Sequence, residues 1–366
     1  MTAARRVFAA WFAVLLAAVL APAAPAHADT VRDAQWYWAP MDLAAAQRIT
    51  KGSGIIVAVL DTGVDARHPD LKGAVLPGRQ TVQNKPAGNE DGFAHGTGIA
   101  GLIAGRGHGS GDGILGIAPE AKILPIRPVN DSYFVAQGIR YAVAQGAKVI
   151  NMSFQTRPSE DLQSALRDAA AADVVLVGAA GNEAKKGNKQ EYPSAYPEVL
   201  TVGALQRNNK IAAFSNHGPQ VDLAAPGVDI TAPAPEGRYI TVEGTSASAA
   251  LVSGAVALIR AKHPELSAAQ VVDRLKSTAI DRGAEGRDDY YGAGQLNLMA
   301  ALTGPQPAAA GTPPPTGTNA PVAIPRPPST NDQDDSGIPP LVFVAAGAVL
   351  LIGAVLAAVL LSRRRR

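Results

Sequence analysis

Between residues 55 and 300, short unbroken apolar runs alternate with longer segments of helical period. The first run covers residues 55–60, and others follow at 121–126, 148–152, 174–177, 199–202 and 221–224. A continuous apolar run of that length suits a strand buried on both faces. Helical spacing occupies 95–105, 132–145, 159–171, 245–262 and 267–277, and the final core helix is expected before Tyr290. Strand and helix in alternation predict an α/β fold: a mainly parallel sheet between two helical layers. Abundant Gly and Ala with few aromatic residues suit layers packed closely together.

The two ends read differently. Arg5-Arg6 precede an apolar stretch at 7–21, and Ala26-His27-Ala28 offers a small-x-small cleavage site, so residues 1–28 are expected to be a signal peptide. Residues 29–54 carry Gln35-Trp36-Tyr37-Trp38, are too short to fold alone, and are expected to pack on the main domain at 55–302. Residues 303–340 are dense in proline without periodicity, the composition of an extended linker. Residues 341–361 then run without charge, long enough at about 1.5 Å per residue to span the roughly 30 Å core of a bilayer. Arginines at 363–366 predict a cytoplasmic tail at 362–366, with the domain on the outer side of the cell membrane. The arginines at 5, 6 and 363–366 more than account for the formal charge of +2, so the remainder is acidic and no nucleic-acid partner is expected. Without cysteine, neither a disulfide framework nor a thiolate metal site is available.

Four short motifs carry chemistry. Ser246, in Gly244-Thr245-Ser246-Ala247-Ser248-Ala249-Ala250, opens a helix where unpaired N–H groups and the helix dipole favour negative charge. Alone, it reads better as a capping serine on a core helix. Asp61, in Asp61-Thr62-Gly63, ends the first strand, on the sheet edge where ligands collect; it could orient a histidine, bind a metal or cap a turn. A carboxylate-pair protease would need a second such motif, and none is present. His95 begins a helix in His95-Gly96-Thr97, with small neighbours that leave room for its ring. Asn182, in Gly181-Asn182-Glu183, follows a strand, where its amide could serve an oxyanion or simply form a turn. The glycine-rich stretch 105–111 follows a helix and lacks a downstream lysine, so it reads as a surface loop rather than a phosphate cradle.

The order Asp, His, Ser, with the Asn between the last two, resembles the subtilisin-like serine proteases over about residues 50–300. His68-Pro69-Asp70-Leu71, Gly113-Ile114-Leu115-Gly116-Ile117-Ala118-Pro119, Val149-Ile150-Asn151-Met152-Ser153 and Tyr291-Gly292-Ala293-Gly294 extend the resemblance. The signal peptide, aromatic start, proline-rich linker and C-terminal transmembrane helix are similar to the mycosin branch, which accompanies type VII secretion in actinobacteria. The resemblance implies Ser246 as nucleophile, His95 as general base and Asp61 as the group orienting it. It implies that Asn182 and the Ser246 N–H bind the oxyanion. It also implies that Ser153, Phe154, Gln155, Ala179, Ala180 and Gly181 line the pocket for the residue before the cut. The implied partners are a protein or peptide substrate, a type VII secretion membrane complex, and the membrane itself. A structural, capping role in that complex with proteolysis secondary is the alternative. Ala247 and Ala250 depart from the family pattern, as do Phe154-Gln155 and the short region before the domain. Asp70 matches a calcium ligand of the family, but Ser110 stands where an asparagine would help; no metal or cofactor is assigned.

Overall fold

The computed structural model describes residues 30–305 apart from 88, 89, 110 and 129. The expected signal peptide, nearly all of the proline-rich stretch and residues 341–361 lie outside them. Among the described residues, no helix is long and apolar enough to cross a membrane.

The strands are β1 (Ile56–Leu60), β2 (Gly78–Gln80), β3 (Lys85–Ala87), β4 (Arg106–His108), β5 (Asp112–Leu115), β6 (Lys122–Arg127), β7 (Val149–Met152), β8 (Val175–Ala179), β9 (Val199–Leu205), β10 (Leu223–Pro226), β11 (Ile230–Ala234) and β12 (Arg238–Val242). Eight of them form one sheet in the order β10-β9-β8-β7-β1-β6-β2-β3. Every pairing in that sheet is parallel except β2 with β3. β1 shows why the apolar runs are unbroken: Val57 and Val59 enter one hydrophobic cluster, while Ala58 and Leu60 enter the cluster on the opposite face.

The helices are α1 (Leu43–Ile49), α2 (His95–Ala104), α3 (Ser132–Ala144), α4 (Glu160–Ala171), α5 (Thr245–Lys262), α6 (Ala268–Ser277) and α7 (Leu298–Thr303), after a single helical turn at Thr30–Asp33. Val135 and Ile139 of α3, with Leu162 and Leu166 of α4, cover the sheet face that carries Leu60. α2 and α5 cover the other face. α5 is buried along almost its whole length, which its small residues permit: a Cβ on Gly254 would lie 2.5 Å from the Ile117 Cβ. The result is three layers, α/β/α, around a mainly parallel sheet.

α5 spans the predicted residues, starting at Thr245 with Gly244 as its cap and Ser246 as its second residue. Two local features differ from the sequence expectation. α7 follows Tyr290, where no further core helix was expected; six residues are too few to display a helical period. The stretch read as a surface loop instead supplies β4, which pairs with β5. That hairpin is held from residues 34–49: Gln35 donates its amide to Leu115 O and accepts the Leu115 N–H. Gln47 bonds the Gly116 and Ile117 carbonyls, the Trp36 indole bonds Val228 O, and Tyr37 is fully buried.

Strand order reverses at β1, which has β6 on one side and β7 on the other. In open α/β sheets, the crevice beyond the strand C-termini at such a switch point is where ligands bind. Asp61 directly follows β1, Ser153 follows β7, and Gly181-Asn182 lie just beyond β8.

Candidate active site

Asp61 is carried into the crevice by β1, and its N–H is paired with Ile126 O of the neighbouring strand. Its side chain is only 3% exposed. Oδ1 accepts the Thr62 N–H at 2.7 Å, and the His95 Nδ1 lies 2.8 Å from Oδ1 and 2.9 Å from Oδ2. A carboxylate can only accept, so Nδ1 carries the proton and the Nε2 lone pair is left on the outer side of the ring. His95 comes this close because residue 96 is glycine: a Cβ there would lie 2.1 Å from Gly63 O. Burial alone would lower the histidine pKa. The charge and hydrogen bond of Asp61, helped by the charge of Asp91, outweigh that and raise it above the ordinary imidazole value.

Asp91 is a residue the sequence reading passed over. It is nearly buried, and its Oδ2 accepts both the N–H and the hydroxyl of Thr97, at 2.8 and 2.7 Å. It thereby caps α2, whose own cap residue, Ala94, has no side-chain acceptor. Its Oδ1 accepts the Thr62 hydroxyl at 2.7 Å, and Thr62 in turn accepts the Gly96 N–H. A carboxylate ahead of a helix start was the available signal.

Ser246 sits in the first turn of α5, where backbone N–H groups have no partner within the helix. Its hydroxyl donates to Ser153 O at 3.3 Å rather than to His95, and Ser153 Oγ lies 3.2 Å from Ser246 O. Behind them, Ser153 Oγ donates to Asn151, whose amide donates to Ser253 Oγ, tying β7 to α5. Asn182 is anchored from one side. Its Oδ1 accepts the N–H and hydroxyl of Thr245 at 2.9 and 3.0 Å, while Thr245 Oγ1 accepts the Gly181 N–H. Because a backbone N–H can only donate, the atom facing it must be the amide oxygen, and Nδ2 takes the other branch. Thr245 is thus a second positioning residue not singled out from sequence.

One cavity of about 380 Å³ is lined by Asp61, His95, Asn182 and Ser246 together. Ser153, Phe154, Gln155, Ala179 and Gly181 line it too, joined by Pro128 and Asn130, which sequence reasoning did not name. Ala180 does not line it. It is 1% exposed, with its N–H on Val202 O, because successive residues leaving β8 point to opposite faces.

Asp70 is a poor match for a cation. Its carboxylate is fully buried and already accepts His108 Nδ1 at 2.6 Å, the Ile114 N–H at 2.7 Å and the Tyr239 hydroxyl at 2.9 Å. Calcium takes six to eight oxygen ligands, whereas these neighbours are donors. Among the described residues, no group of three or more His, Cys, Asp or Glu is placed to hold a metal.

Residues 52–294 match the model of the subtilase family. The chain is 38% identical to subtilisin E of Bacillus subtilis (strain 168) over 258 residues, which are 68% of this chain and 66% of that protein, just under two thirds. A crystal structure of MycP1 with the N-terminal propeptide removed superposes with a TM-score of 0.66 at 32% identity, covering 73% of this chain and 96% of that one. MycP1 from the ESX-1 type VII secretion system gives the same TM-score at 30% identity, covering 78% and 91%.

Proposed function

Because the chain belongs to the subtilase family of serine endopeptidases, we propose that it hydrolyses peptide bonds through Asp61, His95 and Ser246. One observation carries this reading: an imidazole oriented by a buried carboxylate opens on the same cavity as a helix-start serine and an anchored amide. Rotation about the Ser246 Cα–Cβ bond takes Oγ from Ser153 O towards Nε2, which accepts its proton as Oγ attacks the substrate carbonyl. Catalytic hydrogen bonds of this kind commonly tighten only once substrate is bound. Nε2 then returns the proton to the leaving amine, and water repeats the cycle on the acyl-enzyme. The Ser246 N–H and Asn182 Nδ2 receive the oxyanion. Labelling the full-length protein with a fluorophosphonate tests the assignment. Mass spectrometry should find the adduct on Ser246, and no adduct, or one on another serine, defeats it.

Asn182→Ala is expected to lower kcat by about 10²–10³-fold, the magnitude established on subtilisin. The variant should remain folded, since Asn182 is exposed, with a modest fall in melting temperature from the two bonds lost to buried Thr245. An unchanged kcat would remove Asn182 from the oxyanion site.

The pH profile follows from His95. The reaction needs the neutral ring, and the carboxylates hold its proton to a higher pH than usual. The acid limb of kcat/KM is therefore expected above the ordinary imidazole value of about 6.5. Asp91→Asn removes one of the two charges and should move that limb to lower pH. A limb at or below the ordinary value in the parent would contradict this electrostatic account.

The setting is an anchored one in this reading. Residues 1–28 direct export, residues 341–361 cross the membrane, and the catalytic domain faces outward, with a role beside a type VII secretion complex. The composition of those stretches and the likeness to MycP1 support it. A capping role in such a complex is the second reading, supported by the same likeness.

A further inference from the structure

At the end of the sheet opposite the catalytic crevice, where β1 and β6 begin side by side, lies a cavity of about 470 Å³. Three cations from separate segments stand on its wall. They are Lys51 of the loop between α1 and β1, Arg106 at the start of β4 and Lys122 at the start of β6. Ser53 adds a hydroxyl, and the one acid among the described residues on this wall is Glu120. Glu120 pairs with Lys51 at a long 3.8 Å, and both side chains are 52% exposed, a geometry that contributes little in water.

The other two cations are held by carbonyls rather than by carboxylates. Arg106 Nε donates to Pro119 O at 3.1 Å, and Lys122 Nζ donates to Gly73 O at 2.8 Å. Each bond uses one donor of a group that carries several, so both side chains keep donors for a ligand. The basic face extends past the cavity: Arg48 follows Gln47 of its wall, Lys72 precedes Gly73, and both are exposed. Three converging cations and a hydroxyl, against one loosely paired acid, select an anion. Phosphate, with several acceptor oxygens, matches that donor set.

Two observations choose the source of the phosphate. Leu115 and Pro119 make part of the wall apolar, a surface that a free phosphate ion cannot use but the glycerol and first methylenes of a lipid can. The position fits as well. Gln47 of the cavity wall belongs to α1, α1 packs against α7, and the chain leaves α7 at Gly304. In the anchored reading given above, on which this step rests, the sequence runs on from there to the membrane-crossing stretch. We propose that this cavity binds the phosphate of an anionic lipid headgroup, leaving the crevice at the other end of the strands open to substrate.

Lysine acetylation, followed residue by residue by mass spectrometry, reads the site in the full-length protein held in neutral detergent. Phosphatidylglycerol, phosphatidylcholine or inorganic phosphate is added at matched concentration. Phosphatidylglycerol should slow acetylation of Lys51 and Lys122 several-fold and leave exposed Lys210, which follows β9 towards the other edge of the sheet, unchanged. An anionic surface attracts each nearby Lys or Arg by roughly fivefold in affinity. Arg106→Gln should therefore raise the phosphatidylglycerol concentration needed to protect Lys122 by about that factor. Lys51→Glu should raise it at least as far, from an exposed position, should the first variant fail to fold. Ser246 labelling by a fluorophosphonate should persist in both, since neither residue reaches the catalytic crevice. Equal protection by phosphatidylcholine or by inorganic phosphate overturns the lipid assignment, and no protection by any additive overturns the site. The anchored reading fails separately, if alkaline carbonate releases the protein from membranes, and that outcome does not move the lysine readout.

Discussion

Ser246→Ala is expected to lower kcat by about 10⁶-fold, the magnitude established when the nucleophile of subtilisin is removed. The structure explains why nothing nearby substitutes. Ser153, the other serine on the cavity wall, is 4% exposed and directs its proton to Asn151, on the sheet side of Ser246. The loss should come without unfolding. The Ser246 hydroxyl makes one long bond, to Ser153 O, and alanine suits the first turn of α5 at least as well as serine. The measurement is single-turnover cleavage of a peptide that the parent cuts, alongside a melting curve. A residual rate within tenfold of the parent would show that another group is the nucleophile. The same variant separates the two functional readings in cells: secretion that survives Ser246→Ala but fails on deletion assigns the chain a capping role independent of hydrolysis.

Asp61→Asn is expected to cost about 10⁴-fold in kcat, the size of effect seen when the same change is made in an unrelated fold with the same triad. The reason lies in proton direction. Oδ1 of residue 61 is held by the Thr62 N–H at 2.7 Å, which an amide can satisfy only with its oxygen. The NH₂ group then faces His95 Nδ1, which must turn acceptor, and the ring proton moves to Nε2. The base is lost although every heavy atom stays in place. Activity should therefore vanish near neutrality while a crystal structure of the variant overlays the parent. A loss below tenfold would mean that the ring tautomer is not set by residue 61.

Much of the fold was legible because its signals are local. β1 and β7 announce themselves as unbroken apolar runs, and α4 by an apolar period with Ser159 capping Leu162 N. What escaped was short or glycine-rich. α7 has six residues, and β4 carries no apolar alternation; it pairs with β5, which Gln35 and Arg32 hold from some 80 residues away. Ala180 was grouped with its neighbours as pocket lining, but strand alternation turns it inward. Phe154 and Gln155 do reach the cavity, as their place after β7 requires.

By itself, the sequence determined the layered α/β architecture and which residue types stand at strand ends and helix starts. Hydrophobic period, glycine and turn chemistry act over a few neighbours and can be read along the chain. Only the tertiary structure decided that Asp61 meets His95 across 34 residues, that Thr245 fixes the orientation of Asn182 across 63, and that Asp91 braces Thr62 and α2. The same packing gathers Lys51, Arg106 and Lys122 around one cavity at the other end of the sheet. Such contacts join segments with no mutual signature in the chain, since their energy depends on distance in space rather than on separation in sequence.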